Sequence, residues 1–403
     1  MTETAIPQAA STKRPMDQDL SAGTAVTPLT SMLVQVAAPQ LVRYRGVETP
    51  ERLDALERET AALALGVAVH DLGWLRWVEV RGEDRFRWLS GMVTNMVNDL
   101  GSDAGAWNLV LNAQGRIQGD LHVWREGDSL VLEIAADQYE KLLAHLDRFI
   151  IMDDVELAPK SLDSDGALTG ETALGLAGPL SGDLLARVGL PALKEPLTSA
   201  RAEWGGLKVR VVRGYGVLVP HYELWVRVAE IPSLWKKLVQ AGAAPVGAAT
   251  LEAFRIAEGI PVYGIDIAER DLAQETSQMR ALSFSKGCYL GQEIVERIRS
   301  RGNVHRHLRQ LEVFGAVPAA GAELTLDGGA VAGQITSAAE LLLPRGNRAF
   351  ALGMIRGEAE LSPQRRGPVA GDPEAVKQPL NYTAGGVAGT AHILDAPPAL
   401  ETS

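Results

Sequence analysis

Cys288 is the only cysteine in this chain of 403 residues. It stands between two glycines in the segment Lys286–Glu293, which reads KGCYLGQE. A single cysteine excludes an internal disulfide and a multi-cysteine metal site, so we predict neither a cross-linked fold nor a bound metal. The chain is long enough for two or three domains, and hydrophobic cores must stabilise them.

The neighbours of Cys288 favour a functional thiol. Gly287 and Gly291 allow the backbone to turn and to approach a ligand closely. Lys286 supplies a cation beside the sulfur, and a nearby cation lowers a thiol pKa and makes the group more reactive. A buried structural cysteine is the alternative, since that is the commoner fate of a lone cysteine. We predict that Cys288 and Lys286 take part in chemistry.

The charge and hydropathy of the chain restrict its partners. A net charge of -11 argues against nonspecific nucleic-acid binding, which requires a basic face. No uncharged apolar stretch approaches the roughly 20 residues of a membrane-spanning helix, and the first residues do not read as a secretory signal. We therefore expect a cytoplasmic monomer with no membrane partner and no nucleic-acid partner.

Patterning along the chain predicts an α+β architecture with a smaller β domain. Residues 1–45 are rich in Ala, Ser, Thr, Pro and Gln, which predicts a flexible arm. Alternating helical and strand-like segments follow, and a Gly, Asp and Ser-rich stretch at 161–166 marks a domain seam. From Arg309 short strands between glycine turns predict a small barrel or sandwich. Beyond Gly367 the composition predicts a tail.

Three further segments carry candidate site residues. Arg255 lies in a helical pattern that ends before a Gly, Pro and Tyr-rich loop containing Tyr263, a loop composition typical of a pocket. Glu223 lies in an alternating strand, and its carboxylate is able to accept two N–H bonds. Asp120 lies in a predicted hairpin near the turn 112–115. The alternatives are a solvated helix charge, a surface strand glutamate and a hairpin cap, respectively.

A basic segment follows the cysteine octapeptide, running from Arg297 to Arg309 and including His305 and His307. Such a cluster in an acidic chain usually forms a solvated helix face paired with acids. The functional alternative is a subsite for an anion, such as the glutamate tail of a folate or RNA phosphates. RNA is less favoured because no stacking aromatics accompany the basic residues. Two histidines and one cysteine fall short of a standard metal site.

The octapeptide resembles the K-G-C-Y-x-G-Q-E signature of YgfZ-type folate-binding proteins, relatives of the glycine-cleavage T-protein (aminomethyltransferase). The segment 255–267 is similar to the R-I-x-x-G-x-P-x-Y-G-x-D-I stretch of both groups, and the likeness covers roughly Tyr44 to Glu358. It implies three lobes around a central opening: two interleaved α+β lobes and a C-terminal small β-barrel. It places residues 46–160 with 247–308 in the folate-binding lobes, 161–246 in the second lobe, 309–367 in the barrel and 368–403 in a flexible tail.

The resemblance also implies a site for tetrahydrofolate or another folate. It implies that Glu223 binds the amino-pyrimidine edge of the pterin and that Arg255 meets the pterin or the carboxylate tail. In T-proteins an Asp-Asp pair lies in the hairpin and one carboxylate is catalytic, whereas this chain has Gln118-Gly119-Asp120. The remaining residues implied to bind the folate are Tyr263, Gly291, Gln292 and Glu293.

Three functions are compatible with these residues. The first is a folate-binding factor that assists iron–sulfur cluster assembly or repair, with Cys288 as its functional thiol and iron–sulfur client or carrier proteins as partners. The second is a tetrahydrofolate-dependent aminomethyltransferase, against which stand the Cys-Tyr pair and the broken Asp pair. The third is a non-catalytic accessory to tRNA modification.

Overall fold

The computed structural model describes residues 25–164, 166–302, 304–361 and 379–400. Helices and strands alternate along most of this length, as the hydrophobic patterning predicts. The helices are α1 (Pro28–Ala37), α2 (Leu56–Leu65), α3 (Arg85–Met92), α4 (Tyr139–Asp147), α5 (Ser181–Arg187), α6 (Ile231–Gln240), α7 (Ala248–Ala257), α8 (Gln292–Arg301) and α9 (Gly357–Leu361).

The strands form two open sheets, one hairpin and one barrel. They are β1 (Leu41–Tyr44), β2 (Val47–Pro50), β3 (Ala68–Asp71), β4 (Leu75–Arg81), β5 (Gly105–Leu111), β6 (Ile117–Glu126), β7 (Ser129–Ala135), β8 (Glu156–Pro159), β9 (Glu171–Ala177), β10 (Thr198–Trp204), β11 (Leu207–Arg213), β12 (His221–Arg227), β13 (Ala244–Pro245), β14 (Arg306–Phe314), β15 (Glu323–Thr325), β16 (Val331–Leu341), β17 (Arg348–Arg356), β18 (Leu380–Ala384) and β19 (Val387–Ile393).

The first lobe is built on a five-stranded antiparallel sheet with the order β5-β6-β7-β4-β8. Helices α3 and α4 cover one face, where Leu89 and Leu142 join Val78, Leu130 and Leu132 in one buried cluster. The opposite face of the sheet carries the tryptophans and carboxylates of β5, β6 and β7. That second face is therefore available for a site.

The second lobe is a six-stranded sheet with the order β10-β11-β12-β9-β3-β13. One of these strands, β3, comes from outside the predicted range 161–246, so that boundary is wrong for it. All four residues of β3 are buried, which is typical of a strand inside a sheet. The insertion of β3 beside β9 makes the first two lobes more closely interleaved than the sequence indicates.

The third lobe is a closed barrel with the order β14-β17-β16-β15-β18-β19. The α+β class with a C-terminal barrel is thus confirmed, but the predicted tail from residue 368 is wrong over 380–393. This Gly-rich segment forms a hairpin of β18 and β19. Its turn residues Gly385 and Gly386 both have positive φ (57° and 81°), as a two-residue type I′ turn requires. Residues 362–378 lie outside the described residues.

The predicted N-terminal arm of 1–45 is also ordered in part. The Thr27 side chain accepts a hydrogen bond from Thr30 N at 3.0 Å, and Pro28 occupies the first turn of α1. Leu29 and Leu33, one helical turn apart, are buried against the second sheet. Residues 1–24 lie outside the described residues. Over the described ranges, every helix is too short or too polar to traverse a lipid bilayer.

Candidate functional site

A cavity of ≈ 220 Å³ lies where the two sheets face each other, and it is bounded by β1, α7 and the loop after α7. One buried water needs only about 10–15 Å³ on the same measure, so the cavity has room for a small organic molecule. Aliphatic and aromatic side chains together form most of its wall. The polar groups on that wall determine what the cavity can bind.

Glu223 lies on β12 and lines the cavity, and its predicted contact with a pterin stays a prediction. Its Oε2 accepts a hydrogen bond from Trp225 Nε1 at 2.7 Å, and the residue is 8% exposed. Burial, followed by the neighbouring charge of Glu133, raises the pKa of Glu223 well above its ordinary value. Two carboxyl groups this close disfavour a second negative charge, so the pair retains a proton at pH values where a solvated glutamate would have lost it.

Glu133 lies on β7 of the opposite sheet and faces the same cavity. Its Oε2 accepts a hydrogen bond from Trp124 Nε1 at 2.8 Å, and its Oε1 lies 3.2 Å from His122 Nδ1. Each of the two glutamates is therefore fixed by an indole N–H. Sequence reasoning missed Glu133, because a glutamate among the apolar residues of β7 looks like an ordinary strand residue.

Asp120 on β6 also lines the cavity. Its Oδ2 accepts from Trp107 Nε1 at 2.9 Å and its Oδ1 accepts from Gln138 Nε2 at 3.0 Å. The hairpin turn is instead capped by Asn112, whose Oδ1 accepts from the backbone N–H groups of Gln114 and Arg116. Asp120 thus lies in the cavity wall and does not cap the turn, and its predicted catalytic role stays a prediction.

Arg255 lines the cavity, but protein groups already hold most of its guanidinium. It donates to Asp266 Oδ2 at 2.7 Å, to Ile260 O at 3.0 Å and to both carboxylate oxygens of Glu252. Burial alone would lower the pKa of Arg255, but the charges of Asp266 and Glu252 outweigh burial and raise it. These contacts indicate that Arg255 fixes the cavity wall, in place of the direct ligand contact expected from the sequence.

Arg280 is a cavity residue that sequence reasoning missed. Its guanidinium lies 4.0 Å from the centre of the Tyr215 ring and 5.0 Å from that of Trp107. Its Nε is buried and has no hydrogen-bond partner among the described residues. Burial lowers the pKa of Arg280, yet the group stays charged at neutral pH. No local pattern marks this arginine, because Tyr215 and Trp107 are distant in sequence.

Cys288 is exposed and does not line the cavity. Lys286 is buried, and its Nζ donates to the carbonyl oxygens of Ser90, Val93 and Asn95 at 2.8, 2.6 and 2.7 Å. These acceptors lie at the end of α3 and just after it, so Lys286 ties the octapeptide to the first lobe. Burial lowers the pKa of Lys286 to about 8. A lysine held in this way is not the free cation beside the sulfur that the sequence predicts.

The other residues implied to bind a folate lie outside the cavity wall. A Cβ on Gly291, which has φ of 81°, would lie 2.6 Å from Asn112 O, so this glycine permits the close contact with the β5–β6 turn. Gln292 Oε1 accepts from Tyr289 N at 3.3 Å, and Glu293 lies in the first turn of α8. Tyr263 Oη accepts from Lys141 Nζ at 2.7 Å. Their predicted folate contacts stay predictions.

The basic segment after the octapeptide is partly neutralised by acids. Arg306 donates to Asp271 Oδ1 at 2.6 Å and to Glu275 Oε1 at 3.3 Å, and Arg309 pairs with Glu360. Arg299 lies 3.5 Å from Glu296 on α8. The segment therefore behaves as the ion-paired face that was the ordinary alternative, and none of these residues lines the cavity.

Known proteins resemble this chain in sequence and in fold. The family model described as the GCVT N-terminal domain matches residues 32–286. An aminomethyltransferase of Rubrobacter xylanophilus is 28% identical over 331 residues, which cover 80% of this chain and 84% of the relative. A putative chloroplastic transferase of Arabidopsis thaliana is 26% identical over 313 residues, covering 77% of this chain and 68% of the relative.

Among solved structures, the glycine cleavage system aminomethyltransferase T from Bartonella henselae superposes with a TM-score of 0.78 at 16% identity. The superposition covers 93% of this chain and 98% of that one, and it shows a shared fold. The family match spans more than half of the sequence and includes the strands that carry Asp120 and Glu223. The chain belongs to the GCVT N-terminal domain family.

Proposed function

We propose that the protein binds a reduced folate in the cavity and assists iron–sulfur cluster assembly or repair, with Cys288 as an exposed functional thiol. The observation that carries the folate part is the Glu223–Glu133 pair, two buried carboxyl groups that retain one proton between them and offer acceptor oxygens beside aromatic walls. The amino-pyrimidine edge of a pterin offers adjacent N–H donors, and a carboxylate accepts two of them side by side.

The cavity residues fit such a ligand. Trp74, Trp107 and Leu251 give apolar surface to a flat ring, and Arg280 offers a positive charge near the same wall. Indole N–H groups already orient Glu223 and Glu133, so the acceptor geometry is set before a ligand arrives. These features support a folate, and they support tetrahydrofolate as the ligand to test first.

Two observations support the iron–sulfur part. Cys288 is exposed, so its sulfur is accessible to a second protein. It lies in an uninterrupted copy of the octapeptide that YgfZ-type proteins share. Because the thiol is outside the cavity wall, folate binding and thiol chemistry involve separate surfaces, and the two should respond to different substitutions.

Folate binding is tested by titrating tetrahydrofolate and following tryptophan fluorescence, since Trp74 and Trp107 line the cavity. Glu223→Gln places an amide donor where an acceptor is needed. We expect its affinity to fall at least tenfold, because a hydrogen bond to a charged group contributes about 1.5–3 kcal/mol. Glu230→Gln, outside the cavity wall, is the matched control and should bind as the native protein does. Equal affinities for Glu223→Gln and the native protein would refute the pterin assignment.

The role of the thiol is tested separately with Cys288→Ala. We expect folate affinity to stay unchanged while iron–sulfur enzyme activity in cells that depend on the protein is lost. Full complementation by Cys288→Ala would refute the assembly role and leave folate binding intact.

A tetrahydrofolate-dependent aminomethyltransferase is the second candidate, and the position of Asp120 in the cavity favours it. The Rubrobacter relative is named an aminomethyltransferase. Methylene transfer from an aminomethyl-lipoyl carrier protein to tetrahydrofolate, abolished by Asp120→Asn, would establish this activity. Absence of transfer by a preparation that binds tetrahydrofolate would favour the assembly factor.

A further inference from the structure

Two histidines on the second sheet line the cavity beside Glu223. His70 lies on β3 and His221 on β12, and their ring centres are 5.2 Å apart. His70 is 2% exposed. The Nε2 atoms of both rings are buried and have no hydrogen-bond partner among the described residues. A buried polar atom without a partner costs about 1–3 kcal/mol, so a pair of them on a cavity wall indicates a ligand group that completes them.

The backbone fixes the tautomer of His70. Its Nδ1 lies 3.4 Å from Asp71 O, and a carbonyl oxygen only accepts hydrogen bonds, so the ring hydrogen is on Nδ1. Nε2 of His70 is then a bare acceptor. Burial lowers the pKa of His70 to about 4 and, together with the charge of His70, that of His221 to about 3. Both rings are therefore neutral at pH 7.

Gly175 provides the space that the His70 ring occupies. It lies on β9 and pairs with His70 on one side and with Glu223 on the other. A Cβ on Gly175 would lie 1.9 Å from His70 Cε1 and 2.1 Å from His70 Nε2. The missing side chain lets the ring lean across the middle strand toward Glu223. His70 and Glu223 thus lie in one row that crosses β3, β9 and β12.

A metal ion is the weaker explanation for this pair. Within the described ranges, His, Cys, Asp and Glu side chains form no group of three that could hold a metal. An anion is also excluded, since a bare lone pair repels it. A neutral N–H or O–H donor remains as the group that His70 Nε2 can bind.

We propose that His70 Nε2, on the cavity wall beside His221, is an acceptor that binds the ring N–H of a reduced pteridine and thereby selects reduced folates over oxidised ones. The proposal rests on the proposed function, because it takes the ring to be held at Glu223. Reduction of a pteridine adds hydrogens at N8 and N5. In folic acid both nitrogens are bare acceptors, which would face the bare Nε2 of His70 and leave two buried acceptors unpaired.

The test compares the affinities of tetrahydrofolate, 7,8-dihydrofolate and folic acid for the native protein. We expect tetrahydrofolate to bind at least tenfold more tightly than folic acid. Dihydrofolate, which carries hydrogen on N8 but not on N5, identifies the nitrogen: affinity close to tetrahydrofolate assigns N8, and affinity close to folic acid assigns N5. Native protein that binds none of the three refutes the proposed function itself.

Substitutions then assign the preference to His70. In His70→Phe we expect the preference to fall about tenfold, chiefly through weaker tetrahydrofolate binding. His70→Gln places an amide oxygen near the position of Nε2 and should restore much of the preference. His392→Phe, on the barrel, is the control and should match the native protein. If the native protein binds folates and His70→Phe keeps the full preference, the proposal for His70 is wrong and the proposed function stands.

Nitrogen-15 NMR of the histidine side chains gives a readout that does not depend on variant folding. In the free protein, we expect the His70 Nε2 resonance at the position of an unprotonated ring nitrogen. Tetrahydrofolate should shift it upfield as it accepts a hydrogen bond, and folic acid should not. An unchanged resonance in a saturated tetrahydrofolate complex would overturn the proposal.

Discussion

At the scale of single residues, the cavity collects carboxyl groups whose burial changes their acidity. Glu258 is one of them. It follows α7, lines the cavity, and its Oε1 accepts hydrogen bonds from Val217 N and Leu218 N, both at 3.0 Å. Burial raises the pKa of Glu258 to about 7, although the two backbone donors oppose the shift. The folded protein therefore holds this proton more tightly than the unfolded chain does.

A raised carboxyl pKa has a defined effect on stability. Between the ordinary value of 4.5 and about 7 the unfolded chain loses the proton and the folded protein does not, so stability falls as pH rises through this window. At 1.36 kcal/mol per pH unit the loss from Glu258 is at most about 3 kcal/mol. We expect Glu258→Gln to remove this loss, and urea unfolding of both proteins from pH 4.5 to 7.5 measures it. Parallel stability curves would show that Glu258 titrates normally in the folded state.

The family resemblance singled out Glu223 and Asp120, and both line the cavity, whereas strand alternation and the hairpin pattern alone left a surface position open for Glu223 and a turn cap for Asp120. Sequence reasoning failed for Lys286. The three carbonyl groups that bind its ammonium lie about 190 positions earlier in the chain, and no local pattern encodes that contact. The same explanation applies in part to the contacts of Arg255. Its partner Asp266 is close in sequence, but the barrel strand that binds Asp266 is not.

At the scale of elements, the register of three neighbouring strands in the second sheet determines which side chains lie together on the cavity wall. His70, Gly175 and Glu223 come from three strands separated by long stretches of sequence, and only their register brings them together. Sequence patterns predict β9 and β12, but they do not predict that β3 is inserted between β9 and β13. The position of His70 near Glu223 was therefore beyond sequence reasoning.

The contact between β3 and β9 leads to a prediction for Gly175→Ala. The added methyl group would overlap the His70 ring, and overpacking of this kind costs about 1–3 kcal/mol. The double variant His70→Ala/Gly175→Ala should recover most of that loss, because the ring that causes the overlap is gone. A double-mutant cycle by chemical denaturation measures the coupling, which we expect to be at least 1 kcal/mol. Additive effects would mean that the strain at Gly175 comes from the backbone and not from His70.

At the scale of the whole molecule, one buried carboxylate joins two lobes. Asp266 Oδ2 accepts from Arg255, and Asp266 Oδ1 accepts from Thr336 Oγ1 and Ser337 Oγ, both at 2.6 Å. Since Thr336 and Ser337 belong to β16, the barrel is fastened to α7 and to the loop that borders the cavity. Short strands and glycine turns predicted a small barrel or sandwich, and the family resemblance implied the barrel, whereas its last hairpin was missed because Gly-rich composition also describes a tail.

The late hairpin gives a prediction for the whole fold. A chain ending at residue 378 lacks β18 and β19, so β14 and β15 each lose a partner strand and expose an unpaired edge. It also lacks the buried side chains of Leu380 and Tyr382, which together contribute about 3–6 kcal/mol. We expect a destabilised, aggregating protein in thermal unfolding and light scattering. Addition of a peptide spanning 379–400 should reduce the aggregation; equal stability of the truncated and full chains would contradict the role of this hairpin.

The exposed position of Cys288, in a chain with one sulfhydryl, makes its oxidation a bimolecular event. Any mixed disulfide or shared iron atom formed there must record an encounter with a second molecule, and its yield must scale with the concentration of that molecule. Occupation of the cavity by the proposed folate would depend on a different concentration, that of the folate. Under the proposed function, the protein would therefore bind its two partners through surfaces that share no side chain.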